Sequence, residues 1–233
     1  MCGRFCLAVS PEELAEVFGL SPGSDFPPRY NIAPTQPVAV IRQIRVPGGL
    51  PSEGKVDRHL DLMHWGLIPS WAKDPSLGNR LINARAETLS EKPSFRTAFQ
   101  RRRCLIPASG FYEWQKTPAG KQPYYLSPIA AQDSLKPRSL FAFAGLWDTW
   151  QDILSCTIIT TLANDRVRPI HDRMPVILKP EDYDRWLDPT EQDTSALQDL
   201  LTPLSEELIQ AYPVSKRVNQ ATVDQPDCIQ PLT

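Results

Sequence analysis

The sequence predicts an α+β fold: one domain over residues 1–233, with a curled, largely antiparallel, barrel-like sheet at its core and helices on its flanks. Three observations predict it. Short apolar runs bounded by Pro, Gly, Asp and Ser recur along the chain with no regular strand–helix–strand alternation. Prolines number 24 in 233 residues, about twice the usual share, which keeps elements short and argues against a helical bundle. Hydrophobic residues make up 41% and charged residues 22%, an ordinary globular composition that excludes a disordered chain. No internal repeat, low-complexity tract or linker divides the chain.

The elements follow in order. Gly3–Val9 alternates as a strand, with Phe5, Leu7 and Val9 on one face and Cys2, Arg4 and Cys6 on the other. Ser10-Pro11-Glu12-Glu13 opens a helix running to Phe18: Ser caps, Pro fits the first position, and Glu at the third completes a capping box. Ser21–Pro37 is rich in turn residues, Val38–Ile44 reads as a strand, and Pro47–Asp57 as a loop. His59–Leu67 reads as a strand ending at Pro69. In Leu81–Thr88, extended geometry would put Asn83, Arg85 and Glu87 on one face. Ser94–Gln100 suits a short helix. Cys104–Ile106 and Phe111–Trp114 read as strands about a Pro-Ala-Ser-Gly turn, and Lys116–Lys121 as a hairpin turn before Pro123–Leu126. Leu140–Trp147, Cys156–Thr161 and Pro175–Leu178 read as buried strands. Pro180–Leu187 and Asp193–Leu201 suit helices, the first with Pro and acidic residues in its opening turn.

Charge and cysteine content narrow the function classes. Net charge is 25 − 27 = −2, so bulk charge does not advertise a polyanion partner. Its distribution is uneven. Asn79–Arg103 holds Arg80, Arg85, Lys92, Arg96, Arg101, Arg102 and Arg103 against Glu87 and Glu91, while Glu181–Gln210 is acidic except for Arg185. Such a basic run is either a local polyanion site or a solvated, internally paired face. No stretch has the length of a membrane span or the apolar core of a signal peptide, so the expectation is a soluble cytoplasmic protein, associated with the nucleoid in a bacterium. The five cysteines include no C-x-x-C pair, and His59, His64 and His171 lack zinc-motif spacing. Neither a disulfide framework nor a metal is expected, and no cofactor motif is present. Cys104, Cys156 and Cys228 read as small core residues.

Cys2 offers the most distinctive chemistry. Methionine before a small residue is commonly removed, and removal would leave Cys2 with an α-amine and a thiol whose reference pKa values lie near 8 and 8.5. This 1,2-aminothiol can turn an aldehyde into an imine and close it to a thiazolidine. The plain alternative is a residue at a strand end. Glu113, flanked by aromatics in Phe-Tyr-Glu-Trp, would act as acid or base near neutrality if buried, or be an exposed strand carboxylate. His171 is a proton shuttle or a structural histidine. Asn83 can orient a substrate or the Cys2 amine. Trp65, Trp71 and Trp114 either stack on unpaired bases or pack in the core.

Several segments together resemble the SRAP family, the abasic-site processing proteins also called SOS response-associated peptidases. They are Met1-Cys2-Gly3-Arg4-Phe5, Arg29-Tyr30-Asn31-Ile32-Ala33-Pro34, Trp65-Gly66-Leu67-Ile68-Pro69, Ile82-Asn83-Ala84-Arg85-Ala86-Glu87-Thr88, Pro107-Ala108-Ser109-Gly110-Phe111-Tyr112-Glu113-Trp114 and Ile170-His171-Asp172-Arg173-Met174-Pro175. Pro213-Val214-Ser215 and Val218-Asn219 also fit. The resemblance implies a protein that grips single-stranded DNA and reacts covalently with the C1′ aldehyde of an abasic site. It places the catalytic positions on Cys2, Asn83, Glu113 and His171: Cys2 supplying amine and thiol, Glu113 and Asn83 positioning the amine and handling its proton, His171 helping to open the sugar ring. It implies phosphate contacts for Arg4, Arg85 and Arg173, and a lesion channel shaped by Asn31, Pro34, Trp65, Gly66 and Thr160, with Gly3 among the DNA contacts. The expected partner is single-stranded DNA bearing abasic sites, replication-fork proteins being further candidates, and one-to-one chemistry needs only a monomer.

Two other readings differ in class. Cys2, His171, Asn83 and Glu113 also have the residue types of a thiol peptidase, including one that removes its own N-terminal segment. A non-covalent single-stranded DNA-binding module would need no Cys2 chemistry, so a Cys2→Ala variant separates it from the crosslinking reading.

Overall fold

A computed structural model describes residues 2–21, 26–44, 57–129 and 140–232. Met1 and the expected loop over Pro47–Asp57, save Asp57 itself, lie outside the described residues, as do residues 22–25 of the turn-rich stretch. Thirteen strands are described: β1 (Phe5–Leu7), β2 (Arg29–Ile32), β3 (Pro37–Ile44), β4 (Asp57–Trp65), β5 (Asn83–Arg85), β6 (Arg103–Ala108), β7 (Gly110–Thr117), β8 (Gly120–Pro128), β9 (Phe141–Trp150), β10 (Ile153–Leu162), β11 (Arg173–Pro175), β12 (Ile177–Leu178) and β13 (Ile209–Pro213). The α-helices are α1 (Pro11–Phe18), α2 (Pro93–Arg101) and α3 (Tyr183–Leu187).

The expected barrel is present. Strand β3 pairs antiparallel with β4 and β6, β6 with β9, and β9 with β10, and a parallel β10–β4 pairing closes the ring. Five strands therefore enclose a core with no free edge. A second sheet, antiparallel throughout, runs in the order β13-β8-β7-β1-β2. One buried cluster joins both sheets: Phe5 meets Trp65 edge-on at 5.1 Å and Phe143 at 6.0 Å, and Phe111 packs on Phe141 and Phe143. A smaller cluster, Cys6, Tyr112, Tyr125, Val214, Val218 and Cys228, lies on the reverse face of the second sheet.

Local rules account for most elements. The capping box at α1 forms as expected: Ser10 Oγ accepts from Glu13 N, and Glu13 accepts from Ser10 N at 2.9 Å. Gly19 ends the helix at φ 64°. Helix α1 buries Leu14 and Phe18, and Phe18 stacks on Tyr183 of α3 at 5.5 Å. The hairpin expected over Lys116–Lys121 joins β7 to β8, with Thr117 opposite Gly120.

Other expectations need correction. Strand β2 lies within the stretch read as turns, because a four-residue strand between Pro28 and Pro34 is too short a run to stand out and is held by pairing with β1. Strand β13, five residues long and paired with β8, is likewise absent from the sequence reading. Asp193–Leu201 is a 3₁₀ helix over Thr194–Leu201, and the Pro180 helix opens with a 3₁₀ turn, leaving five α-helical residues. Apolar spacings of three and four fit both helix types. Alternation also fails at the N-terminus: β1 begins at Phe5, and Cys2 packs in the main core while Cys6 packs in the smaller cluster. The basic run is no single patch, since Arg103 is buried and donates to the carbonyls of Trp186, Phe99, Gln100 and Glu191, and Arg102 pairs with Asp148.

The barrel splays where β10 changes partners. Ser155 and Cys156 pair with β4, then Ile158–Thr160 with β5; on the other side Ile153–Ile158 pair with β9, then Thr160–Leu162 with β11. Gly66 makes the departure of β4 possible. Its φ is +140°, and a Cβ there would stand 2.6 Å from the Gly78 carbonyl oxygen. The chain leaves at Gly66 and returns past Gly78, with Leu67 N bonded to Leu81 O at 3.1 Å.

Candidate functional site

Cys2 lies at this splay, between the second sheet and the far half of β10. The Asn83 amide, at the start of β5, donates from Nδ2 to the Cys2 carbonyl at 2.8 Å. Because that partner is an acceptor only, the amide orientation is fixed. The Asn83 Oδ1 is then buried and has no hydrogen-bond partner among the described residues. The Cys2 thiol is fully buried, 4.0 Å from the Arg4 carbonyl. Burial raises its pKa far above the usual thiol value, and the nearby Glu113 carboxylate raises it further. The thiol is therefore held protonated at neutral pH.

Glu113 comes from β7. The pairs Phe5↔Phe111 and Cys6↔Gly110, with Tyr112 N on Arg4 O at 3.0 Å, carry the β1–β7 ladder toward the N-terminus and bring Glu113 level with Gly3. Glu113 is only 2% exposed, and burial raises its pKa, with His171 opposing the shift. His171 closes a helical turn in which its backbone N bonds to Val167 O at 3.0 Å. Its Nδ1 accepts from Arg173 N at 3.1 Å and lies 2.9 Å from the exposed Asp172 carboxylate. The Arg173 amide can only donate and the Asp172 carboxylate can only accept, so the two compete for Nδ1. Cys2, Asn83, Glu113 and His171, from four separate segments, thus converge.

The expected DNA contacts divide sharply. Arg85 is exposed and has no hydrogen bond or ion pair among the described residues. Arg4 is half-buried: its Nη1 donates to Asn31 Oδ1 at 2.7 Å and to Val218 O at 2.8 Å, and its guanidinium lies 5.9 Å from the Trp114 ring centroid. Arg173 is buried and held bidentately by Glu87 at 3.0 and 2.9 Å, with Nη2 also on Thr160 O at 2.6 Å and Nε on Thr160 Oγ1 at 3.4 Å. Partial burial alone would raise the Glu87 carboxyl; the hydrogen bonds and charge of Arg173 outweigh it and hold the group below its ordinary value. Thr160 is fully buried and meets Arg173 rather than solvent.

Trp65 has no exposed face to offer a base. It is fully enclosed, and its Nε1 donates to Ile82 O at 2.9 Å. Asn31 is also fully buried, its Nδ2 donating to the carbonyls of Val218, Gln220 and Val223. Gly3 and Pro34 are half-exposed. Trp71 is 59% exposed, whereas Trp114 is half-exposed and donates to Asn219 Oδ1 at 2.7 Å. Glu87 and Asp224 were given no role in the sequence reading. Asp224 accepts from Tyr30 N at 2.5 Å and Asn31 N at 2.9 Å and pairs with Arg29. Glu87 lies inside a matching motif; nothing local marks Asp224. Among the described residues, no group of three or more His, Cys, Asp or Glu side chains is placed to hold a metal ion. No described helix is long and apolar enough to cross a membrane.

Several known proteins are similar to this chain. Abasic site processing protein YoqW of Bacillus subtilis is 42% identical over 99% of each chain. Abasic site processing protein HMCES of Xenopus tropicalis is 31% identical over 98% of this chain and 78% of its own length. A crystal structure of a protein from Bacteroides thetaiotaomicron covers 100% of both chains with a TM-score of 0.80 at 26% identity. A family model described as SOS response associated peptidase (SRAP) matches residues 1–221, so this chain belongs to the SRAP family.

Proposed function

We propose that this protein recognises abasic sites in single-stranded DNA and couples to them through Cys2, once Met1 is removed, as a thiazolidine. The observation that carries the reading is the convergence of Asn83, Glu113 and His171 around the buried Cys2. The names of the relatives supply the lesion. His171 moves a proton at the sugar hemiacetal, exposing the C1′ aldehyde. The Cys2 amine adds to C1′, and the carbinolamine loses water to give the imine. The thiol sulfur then adds to C1′, and its proton passes to the imine nitrogen. Glu113, with its pKa raised by burial, can relay protons in both steps. Closure to the ring removes the imine that would otherwise acidify the C2′ proton and favour strand cleavage.

Burial raises the pKa of the Cys2 thiol, opposite to the depressed value a cysteine peptidase nucleophile needs. In ring closure the thiol gives up its proton as sulfur adds to C1′, and Glu113 can pass that proton to the ring nitrogen.

Intact mass after mixing the protein with a single-stranded oligonucleotide bearing one abasic site tests the reading. The expected product resists denaturation, is one water lighter than its parts, is not reduced by borohydride, and is absent from Cys2→Ala. No adduct from folded protein that has lost Met1 would refute it.

A further inference from the structure

We propose that the C-terminal segment, residues 214–231, is a positioning element of the DNA site: with Asn31 it locks one nitrogen of Arg4 so that the opposite edge of the guanidinium meets a single backbone phosphate. This rests on the DNA-binding part of the proposed function. It adds to the phosphate role implied for Arg4 by naming the device that aims it.

A guanidinium has five N–H donors. In Arg4 both donors of Nη1 are spent, on Asn31 Oδ1 and on Val218 O. Nε is buried without a partner, and Nη2 has none among the described residues. Nε and Nη2 form one edge of the planar group, the edge that takes two oxygens of a phosphate side by side. Arg4 is therefore fastened at one corner and left with unspent donors along one side, the Nε donor being enclosed.

The fastening is itself supported. Asn31 Nδ2 gathers the carbonyls of Val218, Gln220 and Val223, at 3.2, 3.0 and 2.6 Å. Asp224 accepts from the Tyr30 and Asn31 amides, tying the segment to β2. Val214, Val218 and Cys228 pack behind β1 and β7 against Cys6, Tyr112 and Tyr125, and a bridge between Val214 and Pro231 closes the segment. Asn219 holds Trp114, next to Glu113. Val223 and Asp224 lie beyond the residues that match the family model.

The test is the dissociation constant of a plain single-stranded oligonucleotide, without a lesion, measured against salt. Asn31→Ala should weaken binding about tenfold, the scale of a misaligned charged hydrogen-bond pair. The slope of log K against log salt should become shallower by about one phosphate contact. In an Arg4→Ala background the same change should have no further effect. Arg4→Lys should lose most of the affinity, since an ammonium has no edge to present. Asp224→Ala leaves the Asn31 side chain in place and carries the same test should Asn31→Ala fail to fold. Additive losses, or an unchanged salt slope in folded variants, would overturn the proposal. A wild-type protein that does not bind the strand overturns both readings. One that binds but forms no adduct with an abasic strand overturns only the covalent reading.

Discussion

Arg4 and Arg173 look alike in the sequence, each beside a candidate catalytic residue, yet the structure fastens them in opposite ways. Arg4 on the second sheet has one nitrogen tied and unspent donors along one edge. Arg173 on the barrel side has four of its five N–H donors engaged, on Glu87 and Thr160. The first has donors left for an anion. The second already holds one, and joins the turn after β5 to β10. A cation's availability depends on its spent donors, not on its charge.

The sharpest way to break this contrast is to remove the anion Arg173 already holds. Glu87→Ala strands a buried guanidinium and should cost about 3 kcal/mol of folding stability. Arg173→Met should cost less, about 2 kcal/mol, because the carboxylate left behind is 47% exposed and can hydrate. Urea unfolding checks both; a cost below about 1 kcal/mol for Glu87→Ala would show the pair to be a surface interaction. Arg4→Ala should divide the other way. Its folding cost should stay near 1 kcal/mol, while affinity for single-stranded DNA falls about tenfold. Equal effects of the two arginines on binding would erase the distinction.

A finer comparison sets Glu87 against Glu113, the smallest of the expected effects. The folded pKa of Glu87 lies below its ordinary value of 4.5, so its contribution is present above that value and lost as pH falls through the folded value. Glu113 is raised above 4.5, so its contribution is present below that value and lost as pH rises through the folded value. Thermal midpoints measured between about pH 3 and pH 7 should therefore respond oppositely to Glu87→Gln and Glu113→Gln. Glu87→Gln should flatten the acid side of the profile. Glu113→Gln should remove a loss on the neutral side. Curves that move together would mean the two carboxyls share one environment.

Much of this molecule is legible one residue at a time. The capping box at Ser10, the hairpin between β7 and β8, and the apolar runs of β3 and β9 depend on neighbours a few residues away. The segments around Cys2, Asn83, Glu113 and His171 carried the family and a candidate site. What failed were inferences requiring a partner. Trp65 reads equally as a base platform or a core residue, and only its enclosure against Phe5 separates them. The Arg101–Arg103 run reads as surface charge until Arg103 is found donating to backbone carbonyls of two segments, the end of α2 and the stretch from Trp186 to Glu191.

The sequence by itself determined the family, the strand-rich architecture, and the residue types of a candidate site around Cys2. Tertiary structure alone decided that β9 and β10 close the ring, that the Cys2 thiol is buried, and that Arg4 rather than Arg173 keeps unspent donors along one edge. The reason is range. Helix caps and strand alternation are set by contacts within a turn or a strand, whereas Arg173 meets Glu87 across 86 positions and Arg4 meets Val218 across 214. Hydrogen-bond capacity is spent between such distant segments, and no local pattern records how much of it remains.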